Sequence, residues 1–161
     1  MSRLWAPWRM AYVGASEPPP GCVFCVALDC ADDRARLVLH RGARSFLILN
    51  AFPYAPGHLM AVLNRHVGTL GEATADELAD AMTLVQLAVR TLDAEYHPDG
   101  HNVGVNQGRV AGAGILDHLH IHVVPRWNGD TNFMPVLGDV RVLPESLDAT
   151  WARLRKHLSG S

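Results

Sequence analysis

Three cysteines in 161 residues are too few, and an odd number, for a disulfide-built secreted scaffold. No stretch approaches the ~20 consecutive apolar residues that a membrane-spanning helix needs. The N-terminus, "MSRLWAPWRM", has basic residues but no unbroken apolar run of the kind a secretory signal carries. A cytoplasmic location is the expectation from these features. Neither sign of charge dominates: the formal net charge is −2, so there is no electrostatic case for gripping duplex nucleic acid. A nucleotide partner would have to be held by a local site. What remains is 48% apolar and 19% charged, ordinary for one globular domain with a real core.

The most informative segment is "DHLHIHVVPRW", Asp117 to Trp127, with histidines at alternate positions 118, 120 and 122. A strand sends successive side chains to opposite faces, so the three imidazoles share a face and sit about 6.5–7 Å apart. Leu119, Ile121 and Val123 then turn to the core. Three rings that titrate near neutrality, held in a row, suit chemistry better than packing. The plainer alternative is an exposed histidine-rich strand.

Elsewhere the patterns define a single α+β domain. "GASEPPPG" (14–21) is a linker behind an arm that carries Trp5, Trp8 and Tyr12, rings expected to pack on the domain or on a second subunit. "RLVLH" (36–40) and "SFLILN" (45–50) are two strands around a glycine turn, and "HLMAVLN" (58–64) is a third. Thr74-Ala-Asp-Glu77 is a capping box. The helix behind it carries Leu78, Met82, Val85, Val89 and Leu92 at helical spacing and should stop near Tyr96, before "HPDG". "HNVGVNQ" is a fourth strand, "GRVAGAG" a glycine-rich loop, the histidine segment a fifth strand, and "PESLDATWARLRKHL" a closing helix.

Two chemistries suggest themselves. Cys22 and Cys25 form a C-x-x-C, half of a tetrahedral zinc site, and the redox reading of that motif lacks its βαβ context. His66 and His118, at strand ends, could complete the four ligands, but spacing does not select them over His40, His97 or His101. His97 and His101 flank a turn and are expected to face solvent. The second chemistry is attack on phosphate by a neutral imidazole. "NQGRVAGAG" could cover the histidine face and offer backbone N–H groups to phosphate oxygens, with Asn106 as an amide donor. The alternative is a plain turn.

The run His118-Leu-His120-Ile-His122-Val-Val resembles the signature of the histidine triad (HIT) superfamily. "PGHLMAVLNRH", "NQGRVAGAG" and "VVPRW" are similar to further landmarks of it, spread from Arg3 to about Phe133. "VVPRW" and the aromatic arm resemble a bacterial branch that includes diadenosine tetraphosphate phosphorylases. The resemblance implies a HIT-type fold: an antiparallel sheet of about five strands, a central helix and a C-terminal helix. It places an arm and linker at 1–21 and the HIT domain, with its C-terminal helix, at 22–161. It also implies a homodimer joined through the helix and a strand edge.

For the site, the resemblance implies that His120 is the nucleophile, that His122 contacts the phosphate and that His58 belongs to the same cluster. Asn106 would lie beside the transferred phosphate, Asn50 at the ribose, where many members have an acid, and Gly112, Gly114 and Trp127 on the nucleotide side. Structural zinc would be held by Cys22, Cys25, His66 and His118. Gly114 stands where many members carry a hydroxyl, so the loop would depend on backbone N–H groups. The implied reaction is nucleotidyl transfer from a dinucleoside polyphosphate, with phosphate as acceptor. The alternatives are hydrolysis of dinucleoside polyphosphates or nucleoside phosphoramidates by water, a nucleotide sensor without turnover, and a zinc-binding structural module.

Overall fold

The computed structural model describes residues 21–130 and 145–158; the aromatic arm, with Trp5, Trp8 and Tyr12, lies outside the described residues. The elements in chain order are α1 (Val23–Asp29), β1 (Val38–Arg41), β2 (Ser45–Leu49), β3 (Leu59–Leu63), α2 (Ala75–Tyr96), β4 (Gly100–Gly104), a single 3-10 turn (Arg109–Ala111), β5 (His120–Arg126) and α3 (Leu147–Leu158). The five strands form one sheet in the order β1-β2-β3-β5-β4, and every pairing is antiparallel. This is the α+β architecture expected, with two refinements. The fifth strand starts at His120, leaving His118 just before it, and α1 forms just after the linker, where the sequence patterns assign no element.

Both faces of the sheet are covered, which is why "SFLIL" and "LMAVL" are unbroken buried runs rather than alternating ones. On one face Leu47, Leu59, Ala61, Leu119, Ile121 and Val123 pack under α2 and α3, with Leu92 and Leu154 fully buried. On the other, Val38, Phe46, Ile48, Met60 and Val62 pack under Phe24 and Ala27 of α1. His120 and His122 pair with Val62 and Met60 across the strands, so the imidazoles share this α1-covered face.

The capping box at Thr74 forms as read: its side chain accepts from the Glu77 N–H, and Glu77 accepts from the Thr74 N–H at 2.8 Å. Arg65 grips Glu77 with two 2.8 Å bonds and holds its carboxyl at about 2, well below the usual range. The buried stripe of α2 is Ala81, Leu84, Val85, Ala88 and Leu92, while Met82 faces solvent. Alanines let the helix approach the sheet closely, so the pattern read from large residues alone is rotated. The helix ends with His97 in the left-handed conformation. His101, expected in solvent, has only 14% of its side chain exposed, with Nε2 3.5 Å from Asp93.

α3 is tied down from both sides. Arg153 pairs with Glu95 and Glu145, Trp151 donates to the Val38 carbonyl at 2.8 Å, and Tyr96 donates to Glu145. Among the described residues no helix is long and apolar enough to cross a membrane.

Candidate active site and metal centre

The loop between β2 and β3 sets His58. Asn50 starts it, its N–H donating to the His58 carbonyl at 3.0 Å and its side-chain oxygen accepting from the Phe52 N–H at 2.8 Å. Gly57 has φ +78, and a Cβ there would come within 2.7 Å of Leu92, so only glycine seats the chain this close to α2. His58 follows, fully buried.

The ring protons can be assigned from partners that have no choice of role. The backbone N–H of Tyr54 donates to His58 Nδ1 at 3.1 Å, so the neutral His58 ring carries its proton on Nε2. That Nε2–H points at Nδ1 of His122, 2.9 Å away, which therefore accepts. His122 is left with its proton on Nε2, as a donor. His120 is set the opposite way: its Nδ1–H donates to the His118 carbonyl at 2.8 Å, leaving a lone pair on Nε2. Two neighbouring rings, 4.9 Å apart, thus present a nucleophilic nitrogen and a hydrogen-bond donor. In this arrangement both the Asn50 amide and His58 Nε2 are donors, so their 3.5 Å approach is a contact and not a bond.

Burial keeps these rings neutral. It pushes His120 down, against the opposing effect of the His118 carbonyl. It takes His122 down to about 4, helped by the neighbouring His120.

His118 uses its ring for a different task. Its Nε2–H donates to the Leu63 carbonyl at 2.7 Å, which frees Nδ1 to face the thiols. Nδ1 lies 3.2 Å from the Cys22 sulfur, 3.6 Å from the Cys25 sulfur and 3.3 Å from His66 Nδ1; Cys25 to His66 is 3.3 Å. All four ligand atoms fall within 4.8 Å of one another. A tetrahedron with arms of about 2.3 Å to sulfur and 2.0–2.1 Å to nitrogen has edges of roughly 3.3–3.8 Å, so the donor set fits zinc in size and chemistry. Without metal, burial and the adjacent Cys22 push the Cys25 thiol up. His40, His97 and His101 are not part of this group.

The HIT domain model matches residues 34–129. The chain belongs to the HIT family. A Mycobacterium tuberculosis relative described as AP-4-A phosphorylase is 39% identical over 168 aligned positions, spanning 95% of this chain and 86% of that protein. Among solved structures, a Zn-bound histidine triad family protein from Mycobacterium smegmatis superposes with a TM-score of 0.69 at 25% identity, covering 86% of this chain and 94% of that one. A protein from Sulfolobus tokodaii described as a hypothetical histidine triad nucleotide-binding protein superposes with a TM-score of 0.68 at 24% identity, covering 85% of this chain and 91% of that one, a likeness of fold.

Most residues that the HIT resemblance singled out come together, while Gly112 and Trp127 are engaged elsewhere. His58, His120, His122 and Asn50 converge. Gly104 pairs with His122, and Asn106 follows two residues after the end of β4. Gly112, however, already donates its N–H to the Arg109 carbonyl at 3.1 Å, and Ala113 donates to Gly108, so the loop spends those amides on its own turn. Gly114 is exposed and not used in those turn bonds. Trp127 lies one residue past the end of β5. It lines a separate pocket with Pro56, Tyr96, Glu145 and Arg153.

Two contributors were not read from the sequence. Phe24 lies between Cys22 and Cys25 and packs on both His118 and His120, at 5.4 and 5.1 Å between ring centroids. Tyr54, besides its backbone donor, lays its ring on His58 at 4.6 Å. The C-x-φ-C form of the first was a usable signal; nothing in the sequence marked the second.

Proposed function

We propose that this chain is a nucleotidyltransferase that cleaves a dinucleoside polyphosphate such as diadenosine tetraphosphate, by way of a covalent nucleotidyl–His120. The observation that carries the reading is the pair of opposed tautomers. His120 Nε2 attacks the α-phosphorus, the bond from that phosphorus to the bridging oxygen breaks, and ATP leaves. An oxygen of inorganic phosphate then attacks the same phosphorus, the P–N bond breaks with the electron pair returning to Nε2, and ADP is released. His122, through Nε2–H, donates to the phosphate oxygens on which charge builds, with Asn106 and the Gly114 N–H as further donors. His58 holds His122 in that tautomer.

Phosphate as the acceptor is supported by the AP-4-A phosphorylase described in M. tuberculosis, which aligns along nearly all of this chain. Cys22, Cys25, His66 and His118 would hold zinc, which when bound ties the start of α1 to the ends of β3 and β5 and keeps both thiols ionised. The domain begins at Cys22 and includes α3, as the ion pair of Arg153 with Glu95 of α2 supports. A homodimer would form along the β4 edge and α2, where Val103 and Met82 are 45% and 48% exposed.

The test is product analysis. Incubated with diadenosine tetraphosphate and phosphate, the protein should yield ADP and ATP. AMP and ATP, unchanged by added phosphate, would make water the acceptor and the protein a hydrolase. Binding without any product would leave a nucleotide sensor, and zinc without nucleotide affinity a structural module.

A further inference from the structure

Helix α1 is seven residues long and has no side-chain N-cap, too short to persist on its own propensity. Two things hold it in place: burial of Phe24 and Ala27 against the sheet, and the two cysteines at its start, Cys22 and Cys25, which sit at the four-ligand cluster. The Phe24 side chain connects these anchors to the reacting nitrogen. It is 2% exposed, meets the His118 ring edge-on at 77° and leans on the His120 ring at 53°. His118 provides a second connection, because the residue whose ring faces the thiols also accepts the His120 Nδ1–H on its carbonyl. The centre and the nucleophile therefore touch by two routes, one through a side chain and one through the backbone.

We propose that the Cys22–Cys25–His66–His118 centre positions the nucleophile, with Phe24 as the positioning residue. The centre fixes α1, α1 fixes the Phe24 ring, and that ring keeps His120 from rotating out of its bond to the His118 carbonyl. The His120 proton is thereby held on Nδ1 and the lone pair on Nε2 stays aimed outward. Loss of the metal or of the Phe24 ring releases the imidazole to sample other orientations and tautomers while the sheet stays folded. The kinetic consequence rests on the reading of His120 as nucleophile; the structural one does not.

The experiment compares imidazole nitrogen NMR spectra of zinc-loaded wild type, chelator-stripped wild type and zinc-loaded Phe24→Leu, with zinc content and thermal melting on each. Wild type should show His120 as a single tautomer protonated on Nδ1. Stripping and Phe24→Leu should each replace that signal by one averaged between tautomers, with the zinc content of Phe24→Leu unchanged. The rate of nucleotidyl-enzyme formation in Phe24→Leu should fall roughly ten- to a hundredfold, as for a displaced attacking atom, with KM within about twofold. Should Phe24→Leu fail to fold, Phe24→Met, closer in volume and flexibility, takes its place.

A wild-type His120 signal and rate in the folded Phe24 variant overturns the proposal, whatever its melting temperature. If the spectra behave as expected but wild type never becomes nucleotidylated, the functional reading fails and the positioning stands. If wild type is nucleotidylated and the spectra do not respond, the positioning fails and the functional reading stands.

Discussion

His58 Nε2 stands 2.9 Å from His122 Nδ1, and a backbone N–H on the far side of His58 decides which of the two rings donates. The two rings therefore act as a unit. Replacing His122 with Ala should cost about 10²–10³ in turnover, the loss typical of one oxyanion donor. His58→Ala should cost less, because His122 keeps its ring and loses only its orientation. Measured together in a double-mutant cycle, His58→Ala should add little once His122 is gone. Additive losses would mean that His58 acts on the substrate independently.

Purified protein never exposed to chelator should contain about one zinc per chain, as a single tetrahedral site requires. Cys25→Ser should lower both zinc content and melting temperature. Zinc affinity should also fall as pH falls, because the metal competes with protons for its thiolate ligands, and the apo site opposes ionisation of Cys25. Metal-free protein with an unchanged melting curve would contradict the assignment of this cluster.

Stability should depend on pH in a defined direction. His118, His120 and His122 all have folded-state values below the ordinary histidine value of about 6.5, His122 near 4. The unfolded chain thus takes up protons first as pH drops. The stabilisation is complete above about 6.5 and is lost as pH falls below that; the share from His122 is lost between 6.5 and about 4. Denaturant unfolding of wild type and His122→Gln across this window should show a shallower decline in the variant. Equal slopes would remove His122 as a source.

Much of this was legible in the sequence because it follows from local periodicity. Alternation in "HLHIHVV" gave the shared face, the Thr74–Glu77 spacing the cap of α2, and Pro98 with Gly100 its end. What escaped was decided by tertiary contact. α1 does not announce itself, since its seven residues are held by Phe24 and the cysteines rather than by caps or propensity. The buried stripe of α2 runs through Ala81 and Ala88, residues small enough to approach the sheet but silent in a search for large apolar side chains. The inward amide of Gly112 depends on how one turn closes. Trp127 follows the end of β5, and its place beside Pro56, Tyr96 and Arg153 is set by tertiary contacts that strand alternation does not reach. The choice of His66 over His40, His97 and His101 needed the three-dimensional fold or a family resemblance.

The most direct test of the account is to mix the protein with diadenosine tetraphosphate in the absence of phosphate, quench rapidly, and locate any adduct by peptide mass spectrometry, alongside turnover and AMP affinity of His120→Ala. The account predicts one adenylyl group on the His120 peptide, discharged to ADP when phosphate is added. It also predicts a loss of several orders of magnitude in His120→Ala turnover, toward the ~10⁶-fold seen for nucleophile deletions elsewhere, with AMP affinity little changed. Turnover near normal in His120→Ala, with no adduct on the wild-type peptide, would contradict it.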